Sequence, residues 1–537
     1  MHWAELLLSS VRRCRTSVIR TTLCLVVVCC GGLPGMLTSL WADSRGDELA
    51  QWINQRGEKV WGPPPAACDD LTFARRLYFD LLGRSPSVAE IRDFERLSPD
   101  SRRRFLVEQL IFGEGQRSAQ YQRQSSLQFA RQWRQVLLPN SAITEMAPQA
   151  IEGWLAQEFQ QRTPFNEIMR RLVIGPSLNA PAVDATTSST AAAAQYYQML
   201  GGLPENYAGN ISRVMLGVRI ECAQCHHHPF TAWKMEDFWG LAAFYSDVGQ
   251  STQDSQTSQS AGKAGTIAFE NVTYRAKLLW TREPLERSTG ALRAALGRWM
   301  TGKDNPNFAS SSVNRFWQHL VGRGLVVDVE NLDQAPAEER RMLDEFGQRF
   351  ADDGFHVQRL VAAICKSNWY QAISQPEPLA AEKFYRPLKA VSPEQVFDAM
   401  EQSLHLPISR IDPQAPRWTG GRGQLVSRLS ESGSRTPDEY AAGIPQALLM
   451  MNGTLTQDAV GLENSRLLRA VADSPFLGQQ DRIETLYLAL ITRRPTAEEA
   501  DAIERFLDNK PDEQARKAGM GELVWALLNS PEFVLCR

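Results

Sequence analysis

The chain has 537 residues, of which 43% are hydrophobic and 22% charged, and its formal net charge is −3. This length and this ordinary apolar fraction predict a globular protein with two or more packed domains. Basic and acidic residues are interspersed along the chain and form no basic cluster. The charge pattern therefore excludes a nucleic-acid-binding protein.

The first 42 residues have the composition of a secretory signal peptide. Arginines at positions 12, 13, 15 and 20 precede an apolar run at 23–30, and small residues lead to Ala42. Leu40 is bulky for its place before a cleavage site, so an uncleaved membrane anchor is the alternative, although the run is short for a span. We expect a periplasmic or extracellular protein, attached to a membrane only through this N-terminal segment.

Helical periodicity dominates the next part of the chain. Apolar residues three and four apart predict helices over 71–82, 105–111, 129–138 and 151–159. Residues 180–194 are rich in Ala, Ser and Thr, which predicts a loop. Residues 210–220 and 235–245 predict one helix that enters a cysteine-containing corner and one that leaves it, with Pro229 breaking the chain between them.

This corner carries the motif Cys-x-x-Cys-His, formed by Cys222, Cys225 and His226. The pattern is the attachment signature of covalently bound haem. Two cysteine sulfurs can bind the two vinyl groups of one porphyrin, and the adjacent imidazole is then placed to be the proximal iron ligand. The first hypothesis is therefore a c-type haem centre for electron transfer.

Two other interpretations of the motif stay open. Cys222 and Cys225 could bind zinc together with His226 or His228, since thiolate and imidazole are preferred zinc ligands. Alternatively, the two cysteines form a disulfide or a redox pair, with no cofactor. After the signal peptide, cysteines remain at positions 68, 222, 225, 365 and 536, a scattered, odd-numbered set that does not resemble a disulfide framework.

The polar segment 247–266 predicts a linker that divides the chain. The alternation that follows it predicts a strand within 267–279. Helices are expected over 291–300, 311–321, 338–350, 357–365 and 393–404. The predicted fold is mainly α, with two helical domains joined by a polar linker. The predicted parts are a signal peptide (1–42), a first domain (43–248), a linker with a possible strand (249–285) and a second domain (286–537).

An internal repeat links the two ends of the protein, and its two copies align without insertions or deletions. A helix, an Arg-x-Pro turn and a Ser or Thr followed three residues later by Glu predict two similar corners, each with a capping box. The matching residues are Leu77, Tyr78, Leu81, Arg84, Pro86, Ser87 and Glu90 in the first copy, and Leu486, Tyr487, Leu490, Arg493, Pro495, Thr496 and Glu499 in the second.

The first half closely resembles the planctomycete cytochrome-like domain, domain of unknown function 1549. The second half resembles its usual companion, the planctomycete-specific domain of unknown function 1553. The first resemblance rests on residues 76–78, Trp133, 216–220, 222–230 and 237–244. The second rests on Asn305, Pro306, residues 313–317, His319 and residues 322–326, 452–453 and 486–499.

The resemblance implies an extracytoplasmic role, with redox or polysaccharide-processing partners, but it implies no reaction, because the family has none assigned. His227 departs from the family pattern, which commonly has an acidic residue at this place. Glu339 lies near the place where members often carry Ser-His-Pro, so a role for that histidine does not transfer.

The sequence contains no nucleophile elbow, phosphate loop or zinc-protease motif. Asn314, Arg315, Trp317 and His319 fall on one helix but point in different directions, which favours capping and packing over chemistry. The aromatic residues after the motif suit either a porphyrin wall or a plain core. These are Trp233, Phe238, Trp239 and Phe244. A non-enzymatic scaffold or binding protein with a structural Cys/His site is the alternative function.

Overall fold

The computed structural model describes residues 34–113, 117–138, 149–175, 188–227, 231–248, 265–285, 289–378, 383–406, 425–426, 428–429 and 444–536. The fold is mainly α, as predicted. The helices before the first strand are α1 (Pro34–Trp61), α2 (Asp70–Leu82), α3 (Val88–Glu95), α4 (Arg102–Phe112), α5 (Ser118–Leu137), α6 (Gln149–Gln160), α7 (Phe165–Ile174), α8 (Ser189–Met199), α9 (Pro204–Ile211) and α10 (Met235–Ala242).

Thirteen further α-helices follow in the described part of the chain. They are α11 (Thr289–Met300), α12 (Pro306–Val321), α13 (Ala337–Asp352), α14 (Val357–Lys366), α15 (Asn368–Gln371), α16 (Pro393–Leu404), α17 (Ile444–Asn452), α18 (Thr454–Ala459), α19 (Arg466–Ala472), α20 (Gln479–Ile491), α21 (Ala497–Asp508), α22 (Glu513–Leu528) and α23 (Pro531–Val534).

Local signals in the sequence explain where several helices begin and end. Asp69 accepts a hydrogen bond from the Thr72 amide at the start of α2, and Gly83 ends that helix with φ 72°. At α12, Asn305 is the N-cap residue and Gly322 ends the helix with φ 94°. Side-chain oxygens satisfy amides that a helix start leaves unpaired, and glycine adopts the left-handed end without strain.

Two predictions of local structure were wrong. The segment 180–194 was expected to be a loop, but its described end belongs to α8, where Ala192 and Ala193 are buried. Ala is the best helix former, so the alanine-rich composition of this segment favours a helix. The helix expected over 210–220 ends earlier: α9 passes into a π-helical turn, Ser212–Leu216, which stops at Gly217 with φ 62°.

The predicted strand at 267–279 is a hairpin. Strands β1 (Thr266–Phe269) and β2 (Val272–Arg275) pair in antiparallel register. Glu270 and Asn271 between them have φ of 47° and 64°, the left-handed pair that tight hairpin turns require. The other strands are short: β3 (Ser374–Gln375), β4 (Arg386–Pro387), β5 (Lys389–Ala390) and β6 (Leu535–Cys536).

One hydrophobic core extends from Ala50 to Phe384, and a second joins Phe79 to residues between 391 and 536. Residues before and after the predicted linker share the first core: Trp133 packs on Phe316, with ring centroids 5.2 Å apart. The predicted domains are therefore in direct contact. The division of the sequence into two domains by a linker at 249–285 stays a prediction.

The two copies of the repeat form the same corner. Arg84 pairs with both oxygens of Glu90 at 3.0 and 2.8 Å, and Arg493 pairs with both oxygens of Glu499 at 2.6 and 2.8 Å. Each glutamate also completes the capping box at the start of the next helix. The two corners are close in space, because Arg75 donates a hydrogen bond to the Leu490 carbonyl at 3.1 Å.

Most of the predicted signal peptide lies outside the described residues. Within the described part of the chain, no helix is both long and apolar enough to cross a membrane. The signal peptide, the N-terminal anchor and the extracytoplasmic location stay predictions.

Candidate functional site

The cysteine motif lies on a short 3-10 helix between α9 and α10. The chain leaves the π-helical turn at Gly217, crosses to this helix (Glu221–Gln224) and ends it at Cys225. In a 3-10 helix, residues three apart eclipse each other. Cys222 and Cys225 therefore project from the same side of the turn, an arrangement that suits one bound group contacting both sulfurs.

Both motif thiols are exposed and free, whereas the other described cysteines are buried. The residue between them, Ala223, is fully buried and anchors the turn in the core. The indole Nε1 of Trp239 donates a hydrogen bond to the Gln224 carbonyl at 3.0 Å. The turn is thus fixed on its core-facing side, and its two sulfurs face the surface.

The two described histidines of the corner have different hydrogen-bond partners at Nδ1. Nδ1 of His226 lies 2.8 Å from the His227 carbonyl oxygen. A carbonyl only accepts, so this Nδ1 carries the proton and Nε2 of His226 keeps a free lone pair. In His227, Nδ1 accepts from the Met235 amide at 3.4 Å, which places the proton on Nε2. Of these two histidines, His226 is therefore the one whose hydrogen bonding leaves Nε2 available to a metal.

Charged residues surround the beginning of the motif. Arg213 pairs with Glu221 at 3.4 Å and with Glu330 at 2.9 Å. Arg219 also pairs with Glu330, at 3.0 Å. Burial raises the pKa of Glu221. Burial has the same tendency at Glu330, but Arg213 and the other nearby guanidinium groups reverse it and lower the pKa of that carboxyl group.

The aromatic residues that could have walled a porphyrin belong to the core. Trp233, Phe238, Trp239 and Phe244 are all buried. Trp239 stacks on Phe269, with centroids 4.4 Å apart and planes 22° apart. Its ring face is already covered. The donor set of two thiols and one ring nitrogen fits covalent haem attachment, but these four residues do not supply a pocket for the ring.

The alternative zinc site is not assembled by the described residues. No group of three or more His, Cys, Asp or Glu side chains in that part of the chain is arranged to hold a metal ion. His228, the second candidate histidine ligand, lies outside the described residues, as do Pro229 and Phe230. A zinc site that includes His228 stays a prediction.

Of the residues singled out on α12, Asn314 and Trp317 are buried, which agrees with the packing roles expected of them. Trp317 is fully buried, and His319 is partly buried. Asn314 is also fully buried and forms two hydrogen bonds with the backbone of Val326, at 2.8 and 3.2 Å. Its amide thereby fixes the loop that follows α12, as a capping residue would.

Sequence reasoning missed the residues that surround the motif from the second half of the chain. The amide of Leu332 donates to the Gly217 carbonyl at 2.8 Å, just before the motif. Just after the motif, Nε1 of Trp233 donates to Asp333 at 3.1 Å. No local pattern signals contacts between positions so distant in sequence.

Comparison with known families finds two matches. Residues 48–250 match PSCyt2, described as a protein of unknown function (DUF1549). Residues 292–403 match PSD1, described as a protein of unknown function (DUF1553). The two matches together cover more than half of the chain, in the order that the sequence resemblance implied. No curated protein and no solved structure matches the chain.

Proposed function

Since the chain belongs to the proteins in which a PSCyt2 domain precedes a PSD1 domain, we propose that it is an extracytoplasmic redox protein with one c-type haem. Cys222 and Cys225 would hold the haem through their sulfurs, and His226 would bind the iron. Such a group, when bound, supplies one-electron transfer at the iron. The partners would be redox or polysaccharide-processing proteins in the same compartment.

The hydrogen bond between Nδ1 of His226 and the His227 carbonyl is the observation that carries this proposal. A histidine that binds a metal through one ring nitrogen commonly donates its other N–H to a carbonyl, which fixes the ring and raises its basicity. His226 already donates from Nδ1 to the His227 carbonyl at 2.8 Å. It stands directly after two exposed thiols on one side of a turn. In neighbouring His227, Nδ1 accepts a hydrogen bond from the Met235 amide instead, so His227 serves as the natural control.

A second candidate is a non-enzymatic scaffold or binding protein whose Cys/His corner is structural. The position of the aromatic residues favours this alternative, because Trp239 and its neighbours are packed in the core and not around an open pocket. The corner would then hold a disulfide between Cys222 and Cys225, or a zinc ion with His228 among its ligands.

The test is production of the full chain, with its own N-terminal segment, in a host that attaches haem to c-type cytochromes. We expect a pyridine haemochrome spectrum and an intact mass increased by one haem. Replacing Cys222 and Cys225 together by Ala should abolish covalent haem. His226→Ala should alter the spectrum, while His227→Ala should leave it close to the wild type.

Three results would contradict the haem proposal. A loss of two hydrogen atoms in the intact mass, with no added haem, would indicate a disulfide. Stoichiometric zinc in elemental analysis would indicate the metal alternative. Equal spectral changes in the His226 and His227 variants would show that neither ring is the specific ligand.

A further inference from the structure

A buried arginine of the second domain binds the backbone just before the cysteine motif. Arg315 lies on α12 and is 6% exposed. Its Nε donates to the Val214 carbonyl at 3.2 Å, and its Nη2 donates to the Arg213 carbonyl at 3.1 Å. Ser311, one helical turn earlier, donates to the same Val214 carbonyl at 3.1 Å. Three bonds from α12 thus end on two successive carbonyls.

Those carbonyls belong to the π-helical turn Ser212–Leu216. A π-helical turn interrupts the regular hydrogen bonding of the α-helix before it, and such turns are frequent at functional sites. Buried carbonyls without a helical partner need donors from elsewhere. The planar guanidinium of Arg315 offers several donors in a fixed fork, which matches two neighbouring carbonyls; the compact ammonium of a lysine lacks this fork.

Helix α12 also fixes the loop that follows it, and this loop makes a second contact with the backbone before the motif. Asn314 holds the loop after α12 through the backbone of Val326, and that loop delivers the Leu332 amide to the Gly217 carbonyl at 2.8 Å. Gly217 has a positive φ, and a Cβ there would lie 2.7 Å from Cγ of Leu332. The loop therefore packs directly on the backbone that leads into Cys222.

The charge of Arg315 is balanced within the same cluster. Burial lowers the pKa of Arg315 to about 10, while nearby Glu330 opposes this change. The guanidinium therefore stays protonated at neutral pH and keeps all of its donors. Oε1 of Glu330 lies 4.0 Å from Nη2 of Arg315, and Glu330 also pairs with Arg213. Glu330 thus connects Arg315 to the charged residues at the start of the motif.

We propose that Arg315 is a positioning residue, and that the second family domain is the frame that holds the cysteine motif in its exposed conformation. This assigns a role to the PSD1 part of the chain: α12 and the loop after it fix the backbone before Cys222. The proposal extends the proposed function to the second domain, but it concerns the conformation of the motif whether the group bound there is haem, zinc or none.

The test uses the full-length protein without haem. Native protein is treated with iodoacetamide, and the alkylation rates of Cys222 and Cys225 are followed by peptide mass spectrometry. The buried thiols of Cys68, Cys365 and Cys536 report any global opening. In Arg315→Lys, which keeps the charge but loses the two-carbonyl contact, we expect the ratio of the two rates to change severalfold. Hydrogen exchange should also become faster over residues 212–227.

Arg134→Lys is the matched control. Arg134 is 3% exposed and bonds Glu152 and Glu394, so its replacement also disturbs a buried guanidinium. We expect this variant to leave the ratio of the Cys222 and Cys225 rates unchanged. If Arg315→Lys leaves the ratio unchanged, or if both variants change it equally, Arg315 does not position the motif.

A second variant covers the case in which Arg315→Lys does not fold. Ser311→Ala removes one uncharged donor to the Val214 carbonyl, and we expect a smaller change in the same rate ratio. A folded Ser311→Ala protein with a wild-type ratio and wild-type exchange over 212–227 would overturn the proposal. Absence of haem in the wild type would overturn the proposed function but would not affect these rates, so the two failures are distinguishable.

Discussion

The repeat corners and the cysteine corner all connect helices, but different parts of the chain hold them in place. In each repeat corner, an arginine, a hydroxyl residue and a glutamate within a few positions of one another make the stabilising hydrogen bonds. The 3-10 helix of the cysteine corner has no side-chain cap. Trp239 binds this helix from within the first domain, and α12 and the loop that packs against Gly217 bind the backbone that precedes it. A locally encoded corner can occur twice in one chain, whereas the cysteine corner also receives hydrogen bonds from the second domain.

The two repeat corners themselves differ in burial. The side chains of Arg84 and Glu90 are 6% and 4% exposed, whereas those of Arg493 and Glu499 are 30% and 35% exposed. Glu90 also accepts a hydrogen bond from the Tyr121 hydroxyl at 2.8 Å. The same local sequence therefore produces one ion pair inside the protein and one near its surface, and the next predictions test this contrast.

The largest effect is expected at Glu90. Glu90→Ala leaves the buried guanidinium of Arg84 without its carboxylate partner, so the free energy of unfolding should fall by about 3–5 kcal/mol. Glu499→Ala exposes Arg493 to water and leaves it near Glu532, so the loss should be below about 1 kcal/mol. Urea denaturation of both variants measures the difference. Equal losses would show that burial does not distinguish the corners.

The pH dependence of stability should reveal the same buried carboxylate. Burial alone would raise the pKa of Glu90, but Arg84 and the Ser87 amide lower it to about 2, from 4.5. A depressed carboxyl pKa contributes stability above the unfolded-state value, and this stability is lost as pH falls from about 4.5 toward 2. The stability advantage of the wild type over Glu90→Gln should shrink by about 3 kcal/mol in this window. An advantage that does not change with pH would contradict the paired carboxylate.

Replacing a left-handed glycine in the cysteine corner and one in the first repeat corner should have different effects on the motif thiols. Gly217 and Gly83 have φ of 62° and 72°, so Ala at either position should cost about 1–2 kcal/mol. A Cβ at Gly217 meets Leu332, and one at Gly83 meets Gln128. Only Gly217→Ala should change the alkylation rates of Cys222 and Cys225. A change of similar size in Gly83→Ala would mean that general destabilisation, and not the loop contact, controls these thiols.

The smallest difference is expected between the two capping residues. Ser87 and Thr496 each accept a hydrogen bond from the amide of the glutamate three residues later, at 3.2 Å in both corners. Ala at either position should lower the free energy of unfolding by about 1 kcal/mol, because the cap acts within one turn of its own helix. Thermal or urea unfolding compares the two. A much larger loss at Ser87 would show that the cap is coupled to the buried ion pair.

Much of the helical framework could be predicted from the sequence. The periodic segments at 71–82 and 357–365 form α2 and α14 with small shifts at their ends, because an amphipathic pattern needs only one buried face to form a helix. The predictions failed where the chain departs from that pattern. The segment 210–220 is apolar enough for a helix, but Gly217 turns left-handed against Leu332, and no residue nearby in sequence announces that contact.

The sequence by itself determined the identity of the motif residues and the form of the repeat corners. Thiol and imidazole chemistry depends on residue type and spacing, and a capping box depends on groups three residues apart. Only the tertiary structure decided which carbonyl the His226 ring bonds, which ion pair is buried and which arginine binds the backbone before the motif. Burial and hydrogen bonding between distant segments arise from packing around a shared core, and their partners can lie a hundred residues apart, as Arg315 and Val214 do.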